Sequence, residues 1–265
     1  MHERFARLPS ALQRQARRAA IDGSIPALLA HPDWESPTPV VLWFHGRTVH
    51  KELDPGRYLR WLRSGIATCA IDLPGHGERK IEGYDSIDRT LYVVEQAIEE
   101  VDTILAYLGT QGVFDLERAA IGGMSAGGMV TLRRCCDAHP FVCASVESTS
   151  GDFSFMDYGE RYERGLIDSL DPSLHVEGWR QMPLLALHSE ADEWVAVDGV
   201  RSFMDRVRER SGDFADEVVL RTWPETGAPF EHAGFGRVAN DAKNIQLDFF
   251  RRHLLGVAAA NEAES

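Results

Sequence analysis

The segment Gly123-Met124-Ser125-Ala126-Gly127 contains the residue types that most directly suggest covalent chemistry in this sequence. A serine hydroxyl becomes an effective nucleophile when a tight turn exposes it, a base lies beside it and hydrogen-bond donors await the oxyanion that it creates. Glycine two residues away on either side relieves the crowding in such a turn. The pattern therefore predicts that Ser125 is a nucleophile at a sharp bend of the chain.

The residues that flank this segment indicate a strand before the serine and a helix after it. Residues 119–122 are small and apolar, and residues 128–139 are typical of a helix that Pro140 ends. A helix that begins beside the serine directs its positive end and its free N–H groups at the site. A glycine-rich phosphate-binding turn is the alternative, but the sequence has no Gly-Lys-Ser/Thr loop and no Gly-x-Gly-x-x-Gly pattern at its first strand.

Strands and helices alternate along most of the chain. This alternation predicts the α/β class, with a mostly parallel central sheet and helices on both faces. Residues 4–19 are interpreted as an arginine-rich helix or arm. The predicted strands are 24–30, 40–44, 66–71, 119–122, 142–146, 183–187 and 218–223, and the predicted helices are 58–64, 88–108, 128–139, 197–210 and 240–255.

The composition limits the classes of protein to which the chain can belong. Its 265 residues fit one domain, 1–265, and 44% hydrophobic with 26% charged residues is a globular balance. A net charge of −13 argues against nucleic acid or an anionic membrane surface as partners. The N-terminal 20 residues lack the apolar centre of a signal peptide, so we expect a cytoplasmic location. The four cysteines form no Cys-x-x-Cys pairs, and no metal site is predicted.

Five landmarks together resemble the α/β-hydrolase family, in particular its esterase-like, dienelactone-hydrolase-like and prolyl-oligopeptidase-like members. The resemblance extends over roughly residues 39–255 and implies an α/β-hydrolase fold with a short cap insertion. The landmarks are Phe44-His45-Gly46, Asp72-Leu73-Pro74-Gly75-His76-Gly77, the segment around Ser125, His188-Ser189-Glu190-Ala191-Asp192 and Glu231-His232.

The resemblance implies an acid and a base for Ser125. The family's acid follows the strand at 183–187, which matches Asp192, and its histidine follows the last strand, which matches His232. Glu190 and Glu193 lie close to Asp192 in sequence, and Asp152 after the preceding strand is another possible acid.

The resemblance also implies two main-chain donors for an oxyanion. One is the N–H of Ala126, directly after the nucleophile, and the other is the N–H of Arg47, in the loop after the strand that ends at His45-Gly46. The Arg47 side chain either pairs with an acid, from the substrate or from a nearby residue, or is simply a surface arginine. His45 and His76 are interpreted as structural histidines.

Residues 151–179 occupy the position at which the family inserts cap segments. Phe153, Tyr158 and Trp179 in this segment, together with Trp194 beside Asp192, are candidates to line the substrate pocket. Charged residues are interleaved with these aromatic residues, so a solvated helical face is equally consistent with the pattern. The small, polar tail, residues 258–265, is expected to be disordered.

These observations lead to one functional hypothesis and several alternatives. The hypothesis is a serine carboxylesterase that hydrolyses a small-molecule ester through an acyl-enzyme, without a metal or organic cofactor. A thioesterase, an amidase or a peptidase can use the same three residues, as can cofactor-free perhydrolysis or C–C bond cleavage. A non-catalytic binding protein of the same fold is a further alternative. A homo-oligomer is compatible with the sequence.

Overall fold

Eight strands form one sheet in residues 3–257, the part of the chain that the computed structural model describes. The six strands from β3 to β8 run parallel, whereas β2 is antiparallel to both β1 and β4. The order across the sheet is β1-β2-β4-β3-β5-β6-β7-β8. The predicted α/β class with a mostly parallel sheet is therefore confirmed. The strands are β1 (Ala16–Ile21), β2 (Ile25–Ala30), β3 (Thr38–Phe44), β4 (Ala67–Ile71), β5 (Phe114–Met124), β6 (Cys143–Glu147), β7 (Leu184–Ser189) and β8 (Val218–Trp223).

Helices cover both faces of this sheet, as alternate residues of the central strand β3 illustrate. Leu42 and Phe44 belong to the hydrophobic cluster that contains the buried faces of α4, α5 and α7, while Val41 and Trp43 pack with α3 and α8. In residues 3–257, no helix is both long and apolar enough to cross a bilayer. The helices are α1 (Glu3–Ala6), α2 (Ser10–Gln15), α3 (Pro55–Arg63), α4 (Thr90–Thr110), α5 (Ala126–Arg134), α6 (Arg164–Leu170), α7 (Val197–Ser211) and α8 (Ala239–Leu255).

The N-terminal region differs from its prediction. Residues 4–19 were expected to be a helix or arm, but two short helices end at Gln15, and β1 follows at Ala16–Ile21. Alanine and arginine are good helix formers, so local propensity favoured a helix. The six-residue antiparallel register with β2 overrides that propensity, and Asp22 and Gly23, both with positive φ, form the reversal between the two strands.

Helix α5 starts two residues earlier and ends five residues earlier than predicted. It spans Ala126–Arg134, so Cys135 and Cys136 follow the helix and are buried in the core. Because of this early start, α5 begins directly after Ser125. The bend between β5 and α5 therefore falls at Ser125.

Residues 151–179 pack against the helices of the sheet. The segment consists of α6 and three short turns of 3-10 helix, at Phe153–Phe155, Pro172–Leu174 and Val176–Gly178. Helix α6 contacts α4, and the three turns contact α7. The predicted disordered tail, 258–265, lies outside the described residues.

Candidate active site

Ser125 lies at the junction of β5 and α5, in a backbone conformation that few residues adopt. Its φ and ψ are 52° and −118°, a region that is strained for any residue except glycine. Hydrogen bonds hold both sides of its backbone: the Ser125 N–H donates to the Glu147 carbonyl at 2.8 Å, and the Thr149 hydroxyl donates to the Ser125 carbonyl at 2.7 Å. The sharp bend predicted from the sequence is present, and its strain is compensated by these contacts.

The flanking glycines are required because the bend leaves no room for a Cβ atom. A Cβ built on Gly123 would lie 2.4 Å from the Gly127 carbonyl group, and one built on Gly127 would lie 2.3 Å from the Phe44 carbonyl oxygen. Both obstacles are main-chain atoms, which cannot rotate away. The structure therefore supports the reason given for the spacing of the two glycines.

We expect Gly127→Ala to destabilise the protein and to displace Ser125. The overpacking should cost about 1–3 kcal/mol, which lowers the Tm by roughly 3–10 °C. Gly165→Ala is the matched control, because nothing lies within 4 Å of a Cβ at this position in α6 and alanine favours a helix. Differential scanning calorimetry of both variants measures the effect. An unchanged Tm for Gly127→Ala would contradict the steric argument.

Three side chains from distant parts of the chain meet at this bend. His232 Nε2 lies 3.0 Å from Ser125 Oγ, and His232 Nδ1 lies 2.8 Å from Asp192 Oδ2. An ionised carboxylate can only accept a hydrogen bond, so Nδ1 carries the proton and Nε2 is free to accept one from the serine hydroxyl. The arrangement can therefore remove a proton from Ser125 and stabilise the imidazolium that results.

The carboxylate of Asp192 is enclosed by donors. Its side chain has 0% exposed surface. Burial alone would raise the pKa of Asp192, but the rings of His188 and His232 beside the carboxylate, with further help from the Val195 N–H, outweigh it and lower the pKa to about 2. His188, for which the sequence pattern indicates no role, bonds through Nε2 to the Val195 carbonyl at 2.9 Å, and the same atom lies 3.3 Å from Asp192 Oδ2.

The alternative acids are engaged elsewhere. Asp152 accepts hydrogen bonds from the hydroxyls of Ser154 and Ser202, and Glu190 pairs with Arg201. Glu193 is exposed, and its main-chain N–H, rather than its carboxylate, bonds to the Phe230 carbonyl. Of the acids considered, Asp192 is the one that the structure brings to His232.

Residues 28–260 match the family model described as the alpha/beta hydrolase family. The chain belongs to the alpha/beta hydrolase family. This alpha/beta hydrolase is 24% identical to Esterase YjfP of Escherichia coli strain K12 in an alignment 255 residues long, and the alignment covers 87% of the chain and 96% of the relative.

Solved structures show the same fold at low sequence identity. Pyrococcus horikoshii acylaminoacyl peptidase superposes on 93% of the hydrolase with a TM-score of 0.72 and 18% identity, and the match covers 43% of the peptidase. Thermogutta terrifontis esterase 2, in a structure described as phosphonylated by sarin, superposes on 93% with a TM-score of 0.65 and 14% identity, and the match covers 97% of that esterase. The hydrolase thus spans nearly all of the two esterases but less than half of the peptidase.

The loop after β3 carries Arg47 and passes close to Ser125. A Cβ built on Gly46 would lie 3.4 Å from Ser125 Cβ, so the loop passes directly beside the serine. Ala126 is the first residue of α5, and its N–H therefore has no acceptor within the helix. The Arg47 side chain donates from Nη1 to the Asp85 carbonyl at 2.6 Å, and no carboxylate of residues 3–257 lies within ion-pair distance of it.

Buried charges fix the position of this loop. Lys51 Nζ lies 2.7 Å from Asp72, 2.6 Å from Glu78 and 2.9 Å from Glu52. His45 is also buried: burial lowers its pKa to about 4, and the neutral ring donates from Nδ1 to the Gly46 carbonyl and accepts the Leu73 N–H at Nε2. The expectation that His45 is structural agrees with these contacts.

A cavity of about 430 Å³ lies beside Ser125 and His232. Its apolar wall includes Trp43, Met124 and Trp194, and the Trp194 indole is 48% exposed and 4.9 Å from the His232 ring. At its polar wall, Arg57 and Glu147 form a buried bidentate ion pair with N–O distances of 2.6 and 2.8 Å.

Three of the four expected pocket residues do not line this cavity. Phe153 and Tyr158 are buried with their rings edge to face at 5.4 Å, and Trp179 packs in the same way on Phe203 at 5.5 Å. These side chains complete the core beneath residues 151–179, because that segment packs down on α4 and α7. Trp194 alone of the four is part of the cavity wall.

Proposed function

We propose that this hydrolase cleaves carboxylic esters through a covalent acyl-enzyme on Ser125. The observation that supports the proposal best is the chain of contacts from Ser125 Oγ to His232 Nε2 at 3.0 Å and from His232 Nδ1 to Asp192 Oδ2 at 2.8 Å. The first distance is short enough for proton transfer from a nucleophile to its base, and the second is that of a hydrogen bond that orients the base.

The reaction has two acyl-transfer steps. Ser125 Oγ attacks the ester carbonyl carbon while His232 Nε2 takes the hydroxyl proton, and the same imidazolium then protonates the departing alcohol. Water, deprotonated by His232, attacks the acyl-enzyme and releases the carboxylic acid. Asp192 remains ionised throughout and stabilises the positive charge on the ring.

The negatively charged oxygen of each tetrahedral intermediate needs hydrogen-bond donors directed at it. The main-chain N–H groups of Arg47 and Ala126 are proposed for this role. Ala126 supports it because its N–H begins a helix, and Arg47 supports it because its loop passes beside the serine. Two such fixed donors are worth several kcal/mol of transition-state stabilisation, at about 3 kcal/mol each.

The cavity indicates a substrate of small to medium size. A volume of about 430 Å³ is in the range of sites for small organic molecules, and the apolar wall formed by Trp43, Met124 and Trp194 suits an alkyl or aryl group. Four charged residues of its polar wall are paired with each other, Arg57 with Asp54 and Glu147, and Lys243 with Asp54. Arg47 also lines the cavity, and its guanidinium has no carboxylate partner in residues 3–257.

Active-site labelling tests the proposal directly. A fluorophosphonate probe should form one adduct, which peptide mass spectrometry locates on Ser125, and the Ser125→Ala variant should take up no probe. A panel of p-nitrophenyl esters from acetate to dodecanoate, with a matching thioester and anilide, should show fastest turnover for a short or medium ester. A probe adduct on another residue, or faster cleavage of the anilide than of the ester, would contradict the proposal.

A further inference from the structure

The two residues before His232 hold backbone conformations that are unusual for their types. Phe230 has φ 55° and Glu231 has φ 50°, both in the left-handed region that favours glycine. Consecutive residues of this kind persist only when their surroundings hold them, and such strain is concentrated at functional sites. The contacts of Glu231 show what holds this turn.

The Glu231 carboxylate accepts four hydrogen bonds. Oε2 accepts from the Ser189 hydroxyl at 2.8 Å, from the Thr226 N–H at 2.6 Å and from the Thr226 hydroxyl at 2.7 Å, and Oε1 accepts from the Gly227 N–H at 2.6 Å. The Thr226 N–H bond and the other three lower the pKa of Glu231 to about 2. This carboxylate is ionised and fully engaged at neutral pH.

These bonds connect the loop that carries the acid to the loop that carries the base. Ser189 ends β7, and its carbonyl accepts the Asp192 N–H at 3.3 Å. A second connection runs beside it, where the Glu193 N–H donates to the Phe230 carbonyl at 3.1 Å. The relative position of Asp192 and His232 is thus fixed by contacts that involve neither of their reacting atoms.

We propose that Glu231 is a positioning residue that holds His232 in register with Asp192 and Ser125. The proposal rests on the proposed function, since it assumes that His232 is the base for Ser125. A base that is displaced by even one ångström loses much of its effect, because proton transfer requires the reacting atoms within hydrogen-bond distance. Glu231 itself touches no reacting atom and acts through the backbone of His232.

The side chain must be a carboxylate because each of its oxygens faces a main-chain N–H group, which can donate a hydrogen bond but cannot accept one. The Gly227 N–H points at Oε1 and the Thr226 N–H points at Oε2. A glutamine has one carbonyl oxygen and one amide nitrogen, so either orientation of its carboxamide sets an NH₂ group against a main-chain N–H. Glutamine is nearly equal in size to glutamate, so Glu231→Gln changes the hydrogen bonds at this position with little change in packing.

The experiment compares four variants at 25 °C, with kcat expressed per site titrated by the fluorophosphonate. Glu231→Gln should lower kcat for a short p-nitrophenyl ester by about 10- to 100-fold with KM changed less than about threefold, and should slow probe labelling by a similar factor. Ser189→Ala should lower kcat by about 3- to 10-fold. The double variant should be no slower than Glu231→Gln, because Ser189 acts through Glu231. Glu225→Gln, an equal change of charge at an exposed neighbour, is the control.

The possible outcomes separate this proposal from the proposed function. If the wild-type protein is labelled but Glu231→Gln keeps the kcat of Glu225→Gln, Glu231 has no positioning role, even if its Tm is lower. Additive losses in the double variant would show that Ser189 and Glu231 act separately, and this outcome also contradicts the proposal. If the wild-type protein takes up no probe, the proposed function fails and the positioning role fails with it.

Discussion

Replacing Ser125 with alanine should lower kcat/KM for a p-nitrophenyl ester by roughly 10⁴- to 10⁶-fold. The methyl group of alanine can neither attack a carbonyl carbon nor give a proton to His232. In the native protein, His232 Nε2 lies 3.0 Å from the Ser125 hydroxyl. The donors proposed for the oxyanion remain in place, so a small residual acceleration over water should survive. Steady-state kinetics with the variant at high concentration measures both quantities.

Ser148→Ala is the matched control for this prediction. Ser148 follows β6 directly, and β6 pairs with β5, the strand that leads into Ser125; the buried Ser148 hydroxyl has no hydrogen-bond partner in residues 3–257. The same chemical change there should leave kcat/KM within about threefold of wild type, because removing a hydroxyl that has no partner breaks no hydrogen bond. Ser125→Ala activity above about one hundredth of wild type, in a protein with unchanged circular dichroism, would refute Ser125 as the nucleophile.

The sequence predicted those parts of the site that depend on local structure. The bend at Ser125 needs a strand, a helix and two glycines, all within about fifteen residues, and each leaves a clear local pattern. Most strand positions could be predicted for the same reason, because buried parallel strands are short apolar runs. β1 was missed because its alanines and arginines favour a helix, and only pairing with β2 makes it a strand.

The parts that the sequence did not predict depend on pairing across long distances in the chain. Arg57 meets Glu147 90 residues away and Gln246 189 residues away, and no local pattern marks any of the three. The same limit explains Phe153, Tyr158 and Trp179: aromatic residues are equally suited to a pocket wall and to a core, and only the packing of residues 151–179 decides between them. Glu231 is adjacent to His232 in the sequence, but its contacts with Thr226 and Ser189 form only in the folded chain.

The environment of Asp192 allows the effect of removing its charge to be derived in detail. Oδ1 accepts the N–H groups of Trp194 and Val195 at 2.9 and 2.8 Å, while Oδ2 faces His232 Nδ1 at 2.8 Å. In Asp192→Asn, the two main-chain donors should retain the carbonyl oxygen at the Oδ1 position. The amide NH₂ then occupies the Oδ2 position and presents a donor to His232.

Asp192→Asn should therefore lower kcat by about 10³- to 10⁴-fold, because it reverses the tautomer of the base. With a donor at Nδ1, the histidine must accept there and carry its proton on Nε2, where it can no longer take the proton of Ser125. Fluorophosphonate labelling should slow by a similar factor, while KM changes little. Glu193→Gln, an equal loss of charge on the adjacent exposed residue, should leave both rates within about threefold of wild type. An Asp192→Asn variant with more than about one tenth of wild-type kcat would show that the carboxylate does not set the tautomer, and Asp192 would then have to be replaced as the acid in the proposed mechanism.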